Sequence, residues 1–189
     1  MANEKFRVHL EKEQLVFSAA HFITFGDNVC ERLHGHNYRV KCEVTGALEQ
    51  NGYVVDFIAL RDTLMKIVES LDHRVLLPTQ HPTISVTQEG EEIVARFEKR
   101  RWVFPLEDCV LLPIANTTAE LLARHIGQTL IEKFKSPDDS LANGGIEKVV
   151  TQVDENHGQW GVCELTVGCL LYTSPSPRDL STSRMPSSA

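Results

Sequence analysis

Three histidines near the start of the chain have the residue type and spacing of a metal site. His34 and His36 flank a single glycine in "CERLHGHNY", and His21 ends the stretch "FSAAH". Residues two apart in an extended segment point to the same side, so His34 and His36 could reach one ion. Catalytic zinc takes three protein ligands and keeps one position open. The spacing raises the hypothesis of a His21/His34/His36 zinc site, against the alternative that these histidines only form hydrogen bonds.

Cys30, four residues before His34, is a candidate nucleophile or proton-transfer group. The thiolate is the reactive form, so a functional Cys30 needs an adjacent base or positive charge. Otherwise it is a small core residue. His73 with Asp72, in "LDHR", could supply that base, although these residues also suit ordinary capping of a helix C-terminus. Glu155, in "QVDEN", stands where an apolar strand gives way to a polar turn, and a carboxylate there is usually solvated.

Composition and charge exclude several classes of protein. The 189 residues, 42% hydrophobic and 24% charged, are enough for one globular domain. The net charge of −7 argues against a general nucleic-acid binder, which needs a basic face. No apolar run approaches a membrane span, and "MANEKFRVHL" lacks the apolar core of a signal peptide. Five cysteines without a CxxC pair predict free thiols in a reducing cytoplasm.

Hydrophobic patterns predict the elements that must position these side chains. Residues 6–20 and 38–48 are typical of strands, as are the late stretches "IEKVVTQVDE" and "WGVCELTVG". Asp56 is a plausible N-cap for a first helix, whose apolar residues are Phe57, Leu60, Leu64, Val68 and Leu71. Thr117 and Glu120 have the spacing of a capping box at the start of a second helix. The order strand, strand, helix, helix, strand, strand predicts an α+β domain with an antiparallel sheet and both helices on one face.

Two segments lie outside this pattern. Residues 83–104, between the helices, have Gly90 at a turn and apolar residues on both arms, which predicts an inserted β-hairpin. Its "EKRR" run could contact a phosphate or lie on a solvated turn. Residues 169–189 are rich in Ser, Pro, Thr and Arg without periodicity, which predicts a disordered tail. The tail also resembles translated sequencing-adaptor sequence, so we expect the folded domain to span residues 1–168.

Six motifs follow one another along the chain: "FSAAH", "CERLHGHNY", "YVVDFIAL", "LDHRVL", "NTTAELLA" and "VDEN". Through these motifs, from about residue 5 to 165 apart from the insertion, the chain resembles the 6-pyruvoyltetrahydropterin synthase and 6-carboxytetrahydropterin synthase family. The resemblance implies a tunnelling fold, with a four-stranded antiparallel sheet and two helices inserted between its halves. It also implies assembly into an oligomeric barrel, typically a hexamer, with active sites at subunit interfaces.

The resemblance assigns roles to the candidate residues. Three histidines would bind Zn²⁺, namely His21, His34 and His36. Cys30 would be a catalytic residue. Asp72 and His73 would also be catalytic, and a neighbouring subunit would supply them. Glu155 would bind the pterin, because a carboxylate can accept two parallel N–H hydrogen bonds, and Thr118 would add a pterin contact.

The implied substrate is a small molecule, 7,8-dihydroneopterin triphosphate. One branch of the family eliminates triphosphate to give 6-pyruvoyltetrahydropterin. The other also loses acetaldehyde, giving 6-carboxytetrahydropterin on the route to queuosine and other deazapurines. The four-residue spacing between Cys30 and His34 resembles the bacterial carboxy branch, whereas "HNY" resembles the animal enzymes. The insertion and Thr117 depart from the bacterial pattern.

We therefore expect the carboxy reaction, with the pyruvoyl reaction as the alternative. A non-catalytic pterin- or purine-binding oligomer is the alternative from another class of protein. A purely structural zinc site is a further alternative, and Cys30 would then be the fourth ligand.

Overall fold

A computed structural model describes residues 4–26, 29–136, 141 and 145–167. The predicted tail, 169–189, lies outside the described residues. The strands are β1 (Phe6–His21), β2 (Thr24–Phe25), β3 (Val29–Cys30), β4 (His34–Gly46), β5 (Arg74–Pro78), β6 (Ser85–Glu89), β7 (Glu92–Phe97), β8 (Arg100–Pro105), β9 (Cys109–Leu112), β10 (Ile146–Asp154) and β11 (Trp160–Thr166). The helices are α1 (Phe57–Glu69) and α2 (Ala119–Lys135). Neither described helix is long and apolar enough to cross a membrane.

The main sheet has six strands in the order β11-β10-β4-β1-β5-β9. The first four pair antiparallel, and they correspond to the four predicted strands. β5 and β9 extend the sheet in parallel, so it is larger and mixed rather than four-stranded and antiparallel. These two strands, "RVLLP" and "CVLL", are short apolar runs without alternation, which periodicity alone does not identify as strands.

Both helices share one hydrophobic core with the main sheet. The Asp56 carboxylate caps α1 as predicted, because its Oδ1 accepts hydrogen bonds from the amides of Ile58 (2.7 Å) and Ala59 (3.0 Å). The predicted apolar stripe of α1 is buried apart from Phe57, which is 55% exposed at the first turn. The buried stripe of α2 includes Leu122, Ile126 and Leu130.

The start of α2 differs from the predicted capping box by one residue. Thr118 is the N-cap, and its hydroxyl accepts from the amide of Leu121 at 3.4 Å. Thr117 is fully buried instead, and its hydroxyl donates to the carbonyl of Phe22 at 3.1 Å. Adjacent threonines have the same capping preference, so only the buried contacts of Thr117 decide between them. Glu120 therefore does not complete a capping box with Thr117.

The insertion is a three-stranded antiparallel sheet of β6, β7 and β8, where the sequence predicted a two-stranded hairpin. Gly90 forms the first turn with φ of 66°, and Glu98 forms the second with φ of 50°. The inserted sheet buries a second hydrophobic cluster, made of Phe22, Cys30, Leu77, Ile84, Ile93, Ala95 and Phe97. Phe22 and Cys30 belong to the segment between β1 and β4, so the insertion packs directly against the segment that links the histidines.

Candidate functional site

The three histidines meet at the paired ends of β1 and β4. In the antiparallel register His21 lies opposite His34, and Ala19 lies opposite His36. His34 and His36 share one face of β4, so both project toward His21. One ligand atom from each lies within 4.8 Å of the others. Gly35 permits this approach, because a Cβ at that position would lie 3.0 Å from the carbonyl oxygen of Ala19.

Backbone carbonyls orient two of the three rings. Nδ1 of His21 donates to Thr117 at 3.0 Å, and Nδ1 of His34 donates to Arg32 at 2.8 Å. A carbonyl oxygen only accepts, so Nδ1 carries a proton, and in the neutral ring Nε2 then presents a lone pair, as in metal-bound histidines. His21 is 1% exposed, and its Nε2 has no hydrogen-bond partner among the described residues. Burial lowers the pKa of His21 to about 4, so the ring is neutral near pH 7 and suited to coordinate an ion.

A carboxylate faces the same nitrogens. Glu155, directly after β10, places Oε1 at 3.3 Å from Nε2 of His21 and at 3.9 Å from Nε2 of His36. Burial raises the pKa of Glu155. An ionised carboxylate opposite a nitrogen lone pair is repulsive, and a cation or a proton between them removes the repulsion. The three histidines could therefore hold a metal ion, with Glu155 at the edge of the site.

Asp154 holds the turn that carries Glu155. Its carboxylate is 1% exposed and accepts hydrogen bonds from the amides of Gly158 (2.8 Å) and Gln159 (2.9 Å) and from Nε of Arg39 (2.9 Å). Burial alone would raise the pKa of Asp154, but these hydrogen bonds and the Arg39 charge lower it overall. Through these hydrogen bonds, the charged carboxylate of Asp154 holds the backbone conformation immediately before Glu155.

Cys30 and Glu31 lie next to each other but have different surroundings. Cys30 is 5% exposed in the cluster beneath the inserted sheet, and burial raises the pKa of its thiol. Glu31 instead places Oε2 at 3.9 Å from Nε2 of His34. Glu31 was not among the residues predicted from the sequence, although a carboxylate three residues before His34 was visible in the motif.

The predicted free thiols are found at four cysteines, which are Cys30, Cys42, Cys109 and Cys163. Cys169 lies outside the described residues.

Asp72 and His73 form a hydrogen-bonded pair beside β1. Asp72 accepts from the amide of Ser18 (2.7 Å) and from Nδ1 of His73 (2.8 Å). The Ser18 amide, followed by His73, lowers the pKa of Asp72. The amide of His73, with φ of 55°, donates to the Ser18 carbonyl at 2.7 Å. The His73 side chain is 82% exposed, and it lines an open groove of about 580 Å³ together with His36, Asn37 and other residues.

Thr118 lies at the N-terminus of α2, where its hydroxyl already serves as the helix cap. This helix end packs closely on β11, since a Cβ at Gly161 would lie 2.4 Å from the carbonyl carbon of Ala119. Thr118 is half-buried, and its contact with a substrate stays a prediction.

The chain matches a protein family and several curated proteins. The sequence model of the family described as 6-pyruvoyl tetrahydropterin synthase matches residues 10–164. A protein of Methanocaldococcus jannaschii, provisionally named 6-carboxy-5,6,7,8-tetrahydropterin synthase, is 32% identical over 152 residues, covering 79% of this chain and 88% of that protein. A protein of Pyrococcus horikoshii with the same provisional name is 28% identical over 153 residues, covering 80% and 85%.

A solved structure resembles the whole described fold. It is 6-pyruvoyltetrahydropterin synthase from Plasmodium vivax, in a catalytic-residue mutant with alanine in place of glutamate. The TM-score is 0.78 at 27% sequence identity, and the match covers 87% of this chain and 100% of the other.

Proposed function

The chain belongs to the 6-pyruvoyl tetrahydropterin synthase family, and we propose that it is a zinc-dependent lyase. It converts 7,8-dihydroneopterin triphosphate to 6-carboxy-5,6,7,8-tetrahydropterin, with loss of acetaldehyde and triphosphate, in the route to queuosine and other deazapurines. The observation that carries the proposal is the cluster of three histidine ligand atoms within 4.8 Å of one another, in which Nε2 of the buried His21 has no hydrogen-bond partner among the described residues. The names of the curated relatives favour the carboxy product.

The three histidines would hold Zn²⁺ through their Nε2 atoms. The hydrogen bond from Nδ1 of His21 and of His34 to a backbone carbonyl fixes the ring orientation that such coordination needs. Bound zinc supplies a Lewis acid that polarises a substrate oxygen and lowers the pKa of a bound hydroxyl. A set of three histidines keeps a position open for the substrate.

Glu155 would bind the pterin ring. A carboxylate can accept two parallel N–H hydrogen bonds, from the 2-amino group and from N3 of the ring. Burial raises the pKa of Glu155, and two such donors would favour its charged form. The turn held by Asp154 orients it, and Thr118 would add a further contact at the N-terminus of α2.

Protons on the substrate side chain would be moved by two sets of groups. Cys30 and the Asp72–His73 pair are the proposed acid–base groups, with Asp72 fixing the ring of His73 through its hydrogen bond at 2.8 Å. Glu31 competes with Cys30 for this role, since its carboxylate approaches the histidines while the thiol is buried with a raised pKa. The Plasmodium vivax relative, whose catalytic residue is a glutamate, supports that competition.

A second candidate is the elimination of triphosphate alone to give 6-pyruvoyltetrahydropterin. The solved structures that resemble this chain favour it, because those with a TM-score of 0.77 to 0.78 are 6-pyruvoyltetrahydropterin synthases. Both reactions start from the same substrate and differ in whether a carbon–carbon bond breaks, so product analysis separates them.

The test is an assay of the purified protein with 7,8-dihydroneopterin triphosphate, with products identified by mass spectrometry and acetaldehyde measured separately. We expect 6-carboxytetrahydropterin with equal acetaldehyde, loss of turnover on chelation and recovery on adding Zn²⁺. Absence of any product would overturn the substrate assignment, and full turnover after complete metal removal would overturn the zinc role.

Two matched variants then identify the group beside the histidines. Cys30→Ala and Glu31→Gln each change one of two adjacent side chains and keep the backbone. Whichever variant loses turnover on the order of 10²-fold or more, with zinc retained, marks the acid–base group. Loss of zinc in Cys30→Ala would favour a structural site with Cys30 as fourth ligand.

We also propose a cytoplasmic homohexamer with tunnelling-fold subunits around a barrel and active sites at their interfaces. An 82% exposed His73 side chain needs a covering surface before it can act away from bulk water, and a neighbouring subunit would supply it. Light scattering of the purified protein measures the assembly directly, and a monomer under assay conditions would contradict the proposal.

A further inference from the structure

The inserted sheet packs against the segment between β1 and β4, the strands that carry the three histidines. Phe22 follows His21 directly, and its ring stacks on Trp102 of β8 with centroids 4.5 Å apart. Cys30, at the other end of the segment, is buried in the same cluster beneath the sheet. The insertion therefore contacts both ends of the segment from residue 22 to 33, of which residues 27 and 28 lie outside the described residues.

Arg100 makes the polar part of this contact. Its Nη1 donates to the carbonyl of Cys30 at 2.8 Å and to the carbonyl of Glu31 at 2.9 Å. Arg100 shares the inward face of β8 with Trp102 and Phe104, because side chains alternate along a strand. A guanidinium carries its charge permanently and holds its donors in a rigid plane. The Arg100 side chain thus bonds the carbonyls of two consecutive residues, Cys30 and Glu31, which are the two candidate acid–base groups of this segment.

Side chains just before α2 bond the first part of the segment, where Thr117 donates to the carbonyl of Phe22 and Asn116 bonds the amide and the carbonyl of Thr24. The amide of Glu31 donates to the carbonyl of Ile23 at 3.0 Å, and β2 pairs with β3 over only two residue pairs. The carboxylate of Glu31 and the thiol of Cys30 both extend from peptides whose carbonyls accept from Arg100. Rotation of either peptide would move its side chain relative to the histidines.

We infer that Arg100 is a positioning residue, through which the inserted sheet sets the orientation of Cys30 and Glu31 toward the histidine cluster. The insertion then helps to orient the active-site residues and is not merely an added segment between the helices. Arg100 itself need not touch the substrate. Its effect on catalysis rests on the proposed function, whereas its effect on the backbone at residues 29–34 does not.

The test compares Arg100→Gln with Arg101→Gln, a matched control on the same strand whose exposed side chain belongs to the opposite face. In Arg100→Gln we expect kcat to fall on the order of 10²-fold with KM and zinc content nearly unchanged. Amide hydrogen exchange of residues 29–34 should become roughly tenfold faster, while β7 keeps its protection. Arg101→Gln should match the parent protein in all four measurements.

Arg100→Lys provides the second variant, because it keeps the charge but loses the planar donor group. An intermediate kcat and intermediate exchange in this variant support positioning by hydrogen bonds. Unchanged exchange at residues 29–34 in both Arg100 variants would overturn the inference, even if the parent protein had no activity on the proposed substrate. Equal acceleration of exchange throughout the chain would also overturn it, since Arg100 would then serve only global stability.

Discussion

The histidine cluster and the Asp72–His73 pair adjoin one groove but are built in opposite ways. In the cluster, His21 is 1% exposed, and its Nδ1 is fixed by the carbonyl of Thr117. In the pair, the His73 side chain is 82% exposed, and its Nδ1 donates a hydrogen bond to Asp72. One histidine is fixed by the interior of the chain, and the other stands at its surface.

The difference separates two requirements of the proposed chemistry. A metal ligand must present a lone pair in a fixed direction, which burial and a carbonyl partner provide within one chain. A proton-transfer group must reach the substrate and change its charge, which a fully buried imidazole resists, as the pKa of His21 near 4 illustrates. All three histidines of the cluster come from one chain, whereas the exposed pair would need the covering surface of the proposed neighbouring subunit.

The strongest test of this contrast is His21→Ala. Loss of one of three ligands should remove bound zinc and lower turnover on the order of 10⁴-fold, because the Lewis acid contributes several kcal/mol. Metal analysis and the product assay measure the two effects. His9→Ala, at an exposed histidine on the same strand that pairs with Glu43, is the control and should retain both properties. A fully metallated His21→Ala protein would refute the ligand assignment.

His73→Ala should affect turnover without affecting the metal. Removing a general acid–base group lowers turnover by about 10²- to 10³-fold, whereas the cluster keeps its three ligands. The measurements are kcat and zinc content on the same preparation. Joint loss of zinc and turnover would erase the distinction between the two regions.

Mixing the two inactive variants tests whether the regions meet across a subunit interface. If His21 and His73 of one active site come from different subunits, random co-assembly of His21→Ala with His73→Ala should restore roughly one quarter of the parent activity. If one chain supplies both, co-assembly restores none. Co-expression with two affinity tags isolates the mixed oligomer for the assay.

Gly35→Ala should weaken the cluster by a smaller amount. The new Cβ would lie 3.0 Å from the carbonyl oxygen of Ala19, so β1 and β4 must separate by a few tenths of an ångström where the ligands pair. We expect zinc affinity to fall about tenfold, as for a lost outer-shell contact, with the fold retained. Competition with a chromogenic chelator measures the affinity, and an unchanged value would show that the strand spacing is not critical.

Asp72→Asn should cost about 1 kcal/mol of unfolding free energy near pH 7, because the charged acceptor of the Ser18 and His73 hydrogen bonds is lost. The pKa of Asp72 is lowered in the folded state. The stabilisation that ionised Asp72 gives to the folded state is therefore complete above its pKa in the unfolded chain, about 3.9. It is lost as the pH falls through the lower pKa of Asp72 in the folded state. Urea unfolding of both proteins from pH 7 downward should show the difference shrinking below about pH 4.

The sign of that pH dependence is the critical point. A difference that grew toward acid would contradict the lowered pKa. Asp62→Asn, at an exposed carboxylate on α1 paired with Arg61, is the matched control and should change stability little at any pH.

Local sequence patterns predicted most of the core elements. Alternation predicted the four antiparallel strands, and helical spacing predicted α1 and α2, because each pattern reports burial of one face of one element. β5 and β9 were not predicted, since a short apolar run has no period to measure. The family resemblance was confirmed by the match over residues 10–164.

The candidate site divides in the same way. His21, His34 and His36 could be brought together from spacing and motif because they lie on two paired strands with a short intervening segment. The choice of Thr118 over Thr117 as the helix cap required the buried contacts of Thr117 with His21 and Phe22, which no local pattern contains.

Residue types and their order were sufficient to identify the fold family, the histidine cluster and the elements that carry it. Packing in three dimensions decided that Cys30 is buried beneath the inserted sheet, that Glu31 approaches His34 and that Arg100 bonds both of their carbonyls. The physical reason is the separation along the chain of the residues that are in contact. Periodicity records what one element buries, whereas the surroundings of Cys30 and Glu31 depend on a sheet that lies about 70 residues further along the chain.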